Sequence, residues 1–586
     1  MSDYRAPLRD IRFNLEEVVD LAEVCTAIGN EDCDPEIVSA ILEEAGRLCG
    51  EEIAPLNHSC DQAGAGFADR AVTAAPGLKG AYQHFIEGGW GGLSESPEFG
   101  GQGLPKVLSG SIQEMTQSAN LAFSLCPMLS QGCIEAITLH ASDEIKNTYL
   151  PKLVTGEWTG TMNLTEPQAG SDLAAIRTKA EPDGDGYRIF GQKIFITWGD
   201  HDMTDNIIHL VLARLPDAPA GVKGISLFVV PKYLVNEDGS LGERNDAYAA
   251  SIEHKMGIHA SPTCVMAFGD DEGAMGYLVG EPHNGLVYMF SMMNNARLGV
   301  GMQGVAISER AYQQAVEYAK ERVQGMTVSG QGGIVKHPDV RRMLMTMRAA
   351  TEASRSILYT AMAAVDEAHA GLDAEAKARA NRRVALLTPV AKGWATEMSL
   401  EVTSLGVQVH GGMGFIEETG AAQHQRDARI LPIYEGTTGI QAADLIGRKY
   451  LRDNGVAMTE LLEDIKQDLE KAQQVVEIAD ITSAVAASLT RYQGLLEDIK
   501  SNGQDAIWVG STATNFMMLS GYVWGAWLLM KSAAIAAPKQ QQEPFYRNKV
   551  TTARVFCEQL LPRAEALALS MSYGAGAIMD IPEEEL

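Results

Sequence analysis

Hydrophobic and polar positions change texture three times along the chain. From Asp34 the recurrence of Ile37, Ile41, Ala45, Leu48 and Ile53 is helical, with Asp34-Pro35 suited to an N-cap and first turn. Further helices are predicted at 76–87, 105–125 and 127–154, around the glycine-rich stretch GGWGGLSESPEFGGQGLP. Residues 1–33 read as an arm of mixed pattern with its first ten residues extended, and the block 1–157 as helical throughout. At Trp158 β-branched runs and turn signals take over. The segments YRIFGQKIFITWGD, NIIHLVLARL, GISLFVVPKYLV and PTCVMAFGD predict five or more strands, in a β domain ending near Glu281. Helical periodicity then returns near 284–323, 338–370 and 377–404, and 453–586 adds four more helices. The expected architecture is mostly α with a β domain: a helical bundle (1–157), a β-barrel-like domain (158–281), a second bundle (282–452) and a helical C-terminal extension (453–586).

The longest apolar run, FMMLSGYVWGAWLLM from Phe516 to Met530, is shorter than the roughly 20 residues that cross a bilayer. Ser520 and Gly521 interrupt it, so a buried helix is expected and no membrane span. At 586 residues the chain is long enough for several cores, and 46% hydrophobic with 21% charged residues is ordinary for a soluble protein. A net charge of −29 argues against nucleic acid or anionic membrane as a partner, while leaving room for a local basic pocket. Eight cysteines form no C-x-x-C pair and no zinc spacing, and read as reduced, mostly buried thiols. The N-terminal MSDYRAPLRDIRFNLEE has no apolar signal core, so a cytoplasmic location is expected.

Candidate chemistry concentrates in 405–441, LGVQVHGGMGFIEETGAAQHQRDARILPIYEGTTGIQ. Gly411, Gly412 and Gly414 let backbone approach a ligand closely. A strand-like apolar run, Ile430 to Ile433, then delivers a single carboxylate, Glu435, into a Gly-Thr-Thr turn. Alone, an acid there is most simply a helix cap or a solvated charge. Elsewhere, Met162 to Asp172 (MNLTEPQAGSD) sets hydroxyls and backbone N–H groups around a turn, and GQKIFIT puts Phe195 and Thr197 near a strand end. Arg297 is the one basic residue in MFSMMNNARLGVGMQGVA, and Arg322 precedes a Gly-rich loop. There is neither a Rossmann G-x-G-x-x-G after a strand nor a Walker A motif, so a dinucleotide must be held in another way.

TEPQAGSD, GQKIFIT, Arg297 with Arg322, QVHGGMGF, RDARI and YEGTTGIQ, in this order, resemble the acyl-CoA dehydrogenase family of flavoproteins. Each motif alone occurs widely, but in register across 160–445 they specify a family, and the arm and long extension resemble its larger bacterial branch. The resemblance implies FAD bound across a homodimer interface. Met162, Leu164, Thr165, Phe195 and Thr197 would line the isoalloxazine. Ser171 would lie where flavin phosphate and CoA meet, and Arg297 would meet CoA. Arg322, Gln408, Gly411 and Gly412 would hold the adenosine diphosphate end on the neighbouring subunit. Glu435 would be the α-proton base, Gly436 would contact the thioester, and Thr437 the flavin; no metal is implied. Phe195 stands where many relatives have tryptophan, and the loop after Arg322 is longer than usual, so His337 is not carried over as an FAD contact.

The implied reaction is α,β-dehydrogenation of a short acyl-CoA thioester, with hydride passing to flavin N5 and electrons onward to an electron-transfer flavoprotein. The resemblance points to 3-methylmercaptopropionyl-CoA, giving methylthioacryloyl-CoA in dimethylsulfoniopropionate degradation. A short- or medium-chain fatty acyl-CoA dehydrogenase and an acyl-CoA oxidase fit the same motifs. Some relatives carry the base beside the helix arginine, but Asn294, Asn295 and Ala296 precede Arg297, leaving Glu435. Other relatives bind DNA through a basic extension; here 453–586 holds ten Lys/Arg against eighteen Asp/Glu, which excludes that use.

Overall fold

The computed structural model describes residues 4–30, 33–371 and 373–586. In chain order the helices are α1 (Leu8–Arg12), α2 (Leu21–Ile28), α3 (Pro35–Leu48), α4 (Leu56–Ala63), α5 (Leu78–Glu87), α6 (Lys106–Ala119), α7 (Leu121–His140) and α8 (Asp143–Thr155). After the strands come α9 (Gly285–Glu321), α10 (Pro338–His369), α11 (Ala374–His410), α12 (Ala421–Ala428) and α13 (Thr438–Ala443). The extension contributes α14 (Val456–Ala472), α15 (Ala479–Asn502), α16 (Ala506–Ala536), α17 (Pro544–Val555) and α18 (Arg563–Ser572), five α-helices where four were expected. The chain packs as two units. One comprises Met1–Glu43, Pro105–Glu114 and Val300–Leu586; the other comprises Glu44–Leu104 and Met115–Gly299.

In the mixed unit a short hairpin, β1 (Gly66–Ala68) and β2 (Ala71–Thr73), breaks the helical N-terminal block. Its two-residue turn, Asp69-Arg70, has both residues at positive φ (50° and 60°), the geometry that matches strand twist in tight hairpins. Ten strands follow: β3 (Trp158–Asn163), β4 (Lys179–Asp183), β5 (Gly186–Thr197), β6 (Asn206–Arg214), β7 (Ile225–Pro231), β8 (Tyr233–Val235), β9 (Leu241–Arg244), β10 (Ala247–Ile252), β11 (Thr263–Phe268) and β12 (Ala274–Leu278). Eight form one sheet in the order β10-β11-β5-β12-β7-β6-β3, with β4 beside β5 and β6. Ile189, Ile196, Val211, Phe228, Val230, Met266 and Phe268 make the core of this domain. β3 runs parallel to β6 and is buried by α7: Gly160 sits against Ser130, whose hydroxyl accepts its N–H at 3.0 Å, and a Cβ there would come within 2.4 Å of Cys133.

The predicted helix break at residue 126 falls instead at Asn120, whose side chain accepts the Phe123 N–H at 3.1 Å and caps α7; Pro127 is carried inside that helix. Among the described residues α7 is the one helix long and apolar enough to cross a membrane, and 89% of that window is buried inside the protein.

In the helical unit the arm is helical from Leu8, correcting the expected extended start, because Ile11, Leu15 and Val18 bury one face and Phe13 packs on Phe545 and Tyr546 on another. Asp34 accepts the Glu36 N–H at 2.8 Å and starts α3 as expected. The apolar Phe516–Met530 run lies within α16 and is buried except for the half-buried Met518. Two glycines set its crossing with α11: a Cβ on Gly521 would lie 2.1 Å from the Trp394 ring, and one on Gly393 would lie 2.3 Å from the Met517 sulfur. The cysteine expectation needs one correction. Cys25 and Cys33 form a disulfide, since the turn after α2 brings their Cα atoms to 6.2 Å, a spacing that suits the bond but leaves no sequence motif. The other six cysteines are buried free thiols.

Candidate active site

In the mixed unit the residues around Thr165 and Phe195 are built onto one another. The Ile194 N–H donates to the Thr165 carbonyl at 2.9 Å, and Lys193 Nζ donates to the Leu164 carbonyl at 3.1 Å. Opposite β11 the register slips: Cys264 faces Ile196 and Met266 faces Lys193, so Ile194 and Phe195 together oppose Val265. This bulge puts Phe195 at φ 61° and turns its ring outward, 59% exposed, while Lys193 points into the protein. Thr197 stays half-buried near the strand end, as does Met162 in β3, and Leu164 is nearly buried. Ser171 is exposed at the head of a turn that Asp172 caps by accepting the Ala174 N–H at 3.0 Å.

Beneath this surface lies an ion pair that sequence reading did not single out, although both residues sit inside the quoted motifs. Glu166 Oε1 is 2.8 Å from Lys193 Nζ and also accepts from the Thr178 hydroxyl (2.6 Å) and N–H (3.1 Å); Oε2 accepts the Arg177 N–H at 2.7 Å. The two partners shift by different amounts because their surroundings differ. Burial pulls Lys193 down to about 8, Glu166 only partly offsetting it. Burial opposes the charge of Glu166 as well, but Lys193 and the Thr178 and Arg177 donors hold it at about 2.

In the helical unit the expected strand before Glu435 is a series of turns, with the Ile433 N–H bonded to the Ile430 carbonyl at 2.9 Å. Pro432 removes one backbone donor and the chain must reverse within a few residues, so no ladder forms. Glu435 and Gly436 both have positive φ, 55° and 88°. The turn is pinned on every side. The buried Tyr434 hydroxyl donates to Gln303, and burial followed by the charge of Glu435 pushes Tyr434 up, keeping it a donor. Gln441 Nε2 donates to the Glu435 carbonyl at 3.1 Å, and Lys392 Nζ to the Gly436 carbonyl at 2.8 Å. Thr438 donates to Glu397 at 2.5 Å, and Thr437 caps α13 by accepting the Ile440 N–H at 3.3 Å, which leaves its hydroxyl proton to donate elsewhere. Lys392 and Gln441 are fully buried. A single lysine within the apolar run LLTPVAKGWATEM was the available sequence signal for the first.

The residues expected at a diphosphate lie at two helix ends that touch. Tyr318 near the end of α9 stacks on His410 at the end of α11, ring centroids 4.4 Å apart, so Arg322 and the Gln408, Gly411, Gly412 cluster follow from adjacent helix ends. All four are exposed, and nothing lies within 4 Å of where a Cβ would stand on either glycine. A guanidinium, an amide and open backbone fit a diphosphate. His337 is engaged otherwise: its Nε2 meets the Gln324 carbonyl at 3.0 Å and ties down the long loop. Arg297 is buried rather than surface-exposed, with Nη1 3.3 Å from Asn294 Oδ1. In the mixed unit, taken by itself, the outward aromatic ring with hydroxyls near it is suited to a flat ring system.

These features define an acyl-CoA dehydrogenase. The chain belongs to that family: its N-terminal domain matches over residues 36–157, its middle domain over 161–270 and its C-terminal domain over 283–451, with an acetyl-CoA dehydrogenase C-terminal-like domain over 461–582. It is an FAD-dependent oxidoreductase acting on acyl-CoA thioesters. Among individual proteins, it is 47% identical over 579 residues to the 3-methylmercaptopropionyl-CoA dehydrogenase of Ruegeria pomeroyi, covering 96% of this chain and 97% of the relative. It is 35% identical to the broad-specificity linear acyl-CoA dehydrogenase FadE5 of Mycobacterium tuberculosis, covering 96% of each. An acyl-CoA dehydrogenase from Bacillus anthracis solved with FAD shares the fold at a TM-score of 0.75 and 24% identity, over 92% of this chain and 88% of that one.

Proposed function

We propose that the chain dehydrogenates a short acyl-CoA thioester, with 3-methylmercaptopropionyl-CoA as substrate and methylthioacryloyl-CoA as product, in dimethylsulfoniopropionate breakdown. The observation that carries this reading is the full-length 47% identity to the Ruegeria enzyme of that name. Glu435 takes the α-proton and the Gly436 N–H donates to the thioester oxygen, where negative charge develops. FAD, when bound, accepts the β-hydride. Met162, Leu164, Thr165, Phe195 and Thr197 line the ring system, Ser171 and Arg297 hold the CoA side, and Thr437 donates to the flavin. Arg322, Gln408, Gly411 and Gly412 hold the diphosphate end of a partner subunit's FAD in a homodimer. An electron-transfer flavoprotein takes the electrons, in the cytoplasm where CoA thioesters are made and used. The division at 157/158, 281/282 and 452/453 is part of the same reading, supported by the change from helix to strand at Trp158 and back at Gly285.

Anaerobic flavin bleaching with a panel of acyl-CoAs tests the substrate. A thioether is nearly isosteric with a methylene, and one methylene in an apolar pocket is worth only about 1–3 kcal/mol, so butanoyl- and pentanoyl-CoA should bleach the flavin too. Preference for acyl chains of about twelve carbons or more would overturn the short-chain reading, since each added methylene would then have to find pocket surface.

A further inference from the structure

The side chains that hold the Glu435–Gly436 turn have a consequence for where its N–H groups aim. A trans peptide is planar, so fixing a carbonyl fixes the opposite direction of the N–H in the same plane. Gln441 Nε2 holds the Glu435 carbonyl at 3.1 Å, which sets the direction of the Gly436 N–H. Lys392 Nζ holds the next carbonyl, that of Gly436, at 2.8 Å and sets the Thr437 N–H in the same way. Both side chains are fully buried, so neither bond is shared with bulk water. The glycine is itself shaped to this clamp: at φ 88° a Cβ would come within 2.6 Å of Gln441 Nε2. Gly393, the residue after Lys392, packs against Gln441, its Cβ position 3.5 Å from Gln441 Cβ, so α11 and α13 are in contact beside the two clamping side chains.

We propose that Gln441 and Lys392 are positioning residues: Gln441 orients and polarises the peptide that carries the Gly436 N–H, making it a stronger donor to the enolate oxygen of the thioester, and Lys392 holds the next peptide so that Gly436 cannot swing that N–H away. This rests on the reading of Glu435 as base and Gly436 as thioester donor. Donation to a peptide carbonyl strengthens that peptide's own N–H as a donor, as Gln441 does for the Gly436 N–H. Neither residue touches substrate; each acts through the backbone.

The test uses the holoenzyme and its Gln441→Met and Lys392→Met variants, both close in shape but without a donor. Flavin content, melting temperature, kcat and KM are measured, together with the pH at which bound acetoacetyl-CoA ionises, read from enolate absorbance. The expected result is full flavin content, KM within about threefold, kcat down about 10- to 100-fold, and enolate ionisation moved up by about one pH unit, a tenfold loss of enolate stabilisation. Lys392→Arg, which restores a donor, should recover part of that shift, and it keeps the question answerable if a Met variant fails to fold. A fall in kcat with unchanged enolate ionisation would reduce both residues to structural supports and overturn the inference, as would unchanged kcat. Glu435→Gln run in parallel separates the two readings. The probe ionises to solvent without a protein base, so an active Glu435→Gln enzyme defeats the base assignment while leaving the enolate measurement to decide the inference.

Discussion

Glu435 stands at φ 55°, a left-handed conformation that costs a non-glycine residue of order 1–3 kcal/mol and persists only where surrounding contacts enforce it. Four side chains pin the turn and hold the strain in place. Glu435→Gln keeps shape and hydrogen bonding but removes the basic lone pair. The variant should bind FAD, show a perturbed flavin spectrum on adding substrate and fail to bleach, with activity down at least about 10²- to 10⁴-fold. Loss of FAD instead would make Glu435 structural. At the other end of the same unit, Arg322 is exposed beside Gly411 and Gly412 with no buried contact to lose. Arg322→Ala should therefore leave the fold intact and reduce FAD content and dimer stability together, measured by flavin absorbance and sedimentation. Normal flavin occupancy with normal oligomeric size would count against its phosphate role.

At the scale of elements, function rests on places where regular structure is broken. The β5 bulge turns Phe195 out and Lys193 in, although they are two residues apart and an unbroken strand would keep them on the same face. Close helix crossings are equally exacting. α16 meets α11 where Gly521 faces the buried Trp394 ring, and a Cβ would lie 2.1 Å away. Gly521→Val should push the ring, and with it the α11 backbone behind Lys392, at a cost of about 1–3 kcal/mol. Calorimetric melting should show a clear decrease; an unchanged transition would mean the crossing is looser than its geometry implies.

At the scale of the helical unit, arm, bundle and extension share one buried charge network. Arg355, fully buried on α10, bonds Glu114 at 2.7 Å and Glu309 at 2.8 Å and reaches Asp10 of the arm at 2.5 Å. Lys549 of α17 pairs with the same Asp10 and with Glu352 at 3.1 Å. Lys549→Met removes one cation shared by two buried carboxylates, leaving Asp10 with Arg355 and Glu352 with Arg348, and should destabilise the unit by about 1–3 kcal/mol in denaturant titration, more than loss of an exposed pair would. The acid side follows from Asp10. Burial alone would raise its carboxyl, but Lys549 and Arg355 hold it well below its ordinary 3.8. A depressed carboxyl contributes stability above its unfolded pKa and loses it as pH falls through the folded one. Wild-type stability should thus fall below about pH 4, and an Asp10→Asn variant should show a shallower fall there. An equal slope would mean Asp10 ionises as freely folded as unfolded.

The motifs and the helix–strand–helix order were legible in the sequence because periodicity and turn chemistry are local: apolar spacing of 3.6 or 2 and residues such as Asp34-Pro35 act within a few positions. The candidate site was legible as a set of residues for the same reason, each lying in a short quoted segment. What sequence could not decide were arrangements made by distant segments. The turn before Glu435 was taken for a strand because Ile430 to Ile433 is apolar in either conformation, and only the closure against Gln303, Lys392 and Gln441 selects between them. The Asp69-Arg70 hairpin was lost in a helical block because neither residue is the usual glycine or asparagine of such turns. Cys25 and Cys33 pair at a sequence separation of 8 that no spacing rule marks out. The Lys193–Glu166 and Arg355 networks join residues 27 and up to 345 positions apart, where burial removes the competing water and makes a charge in one segment depend on a partner in another.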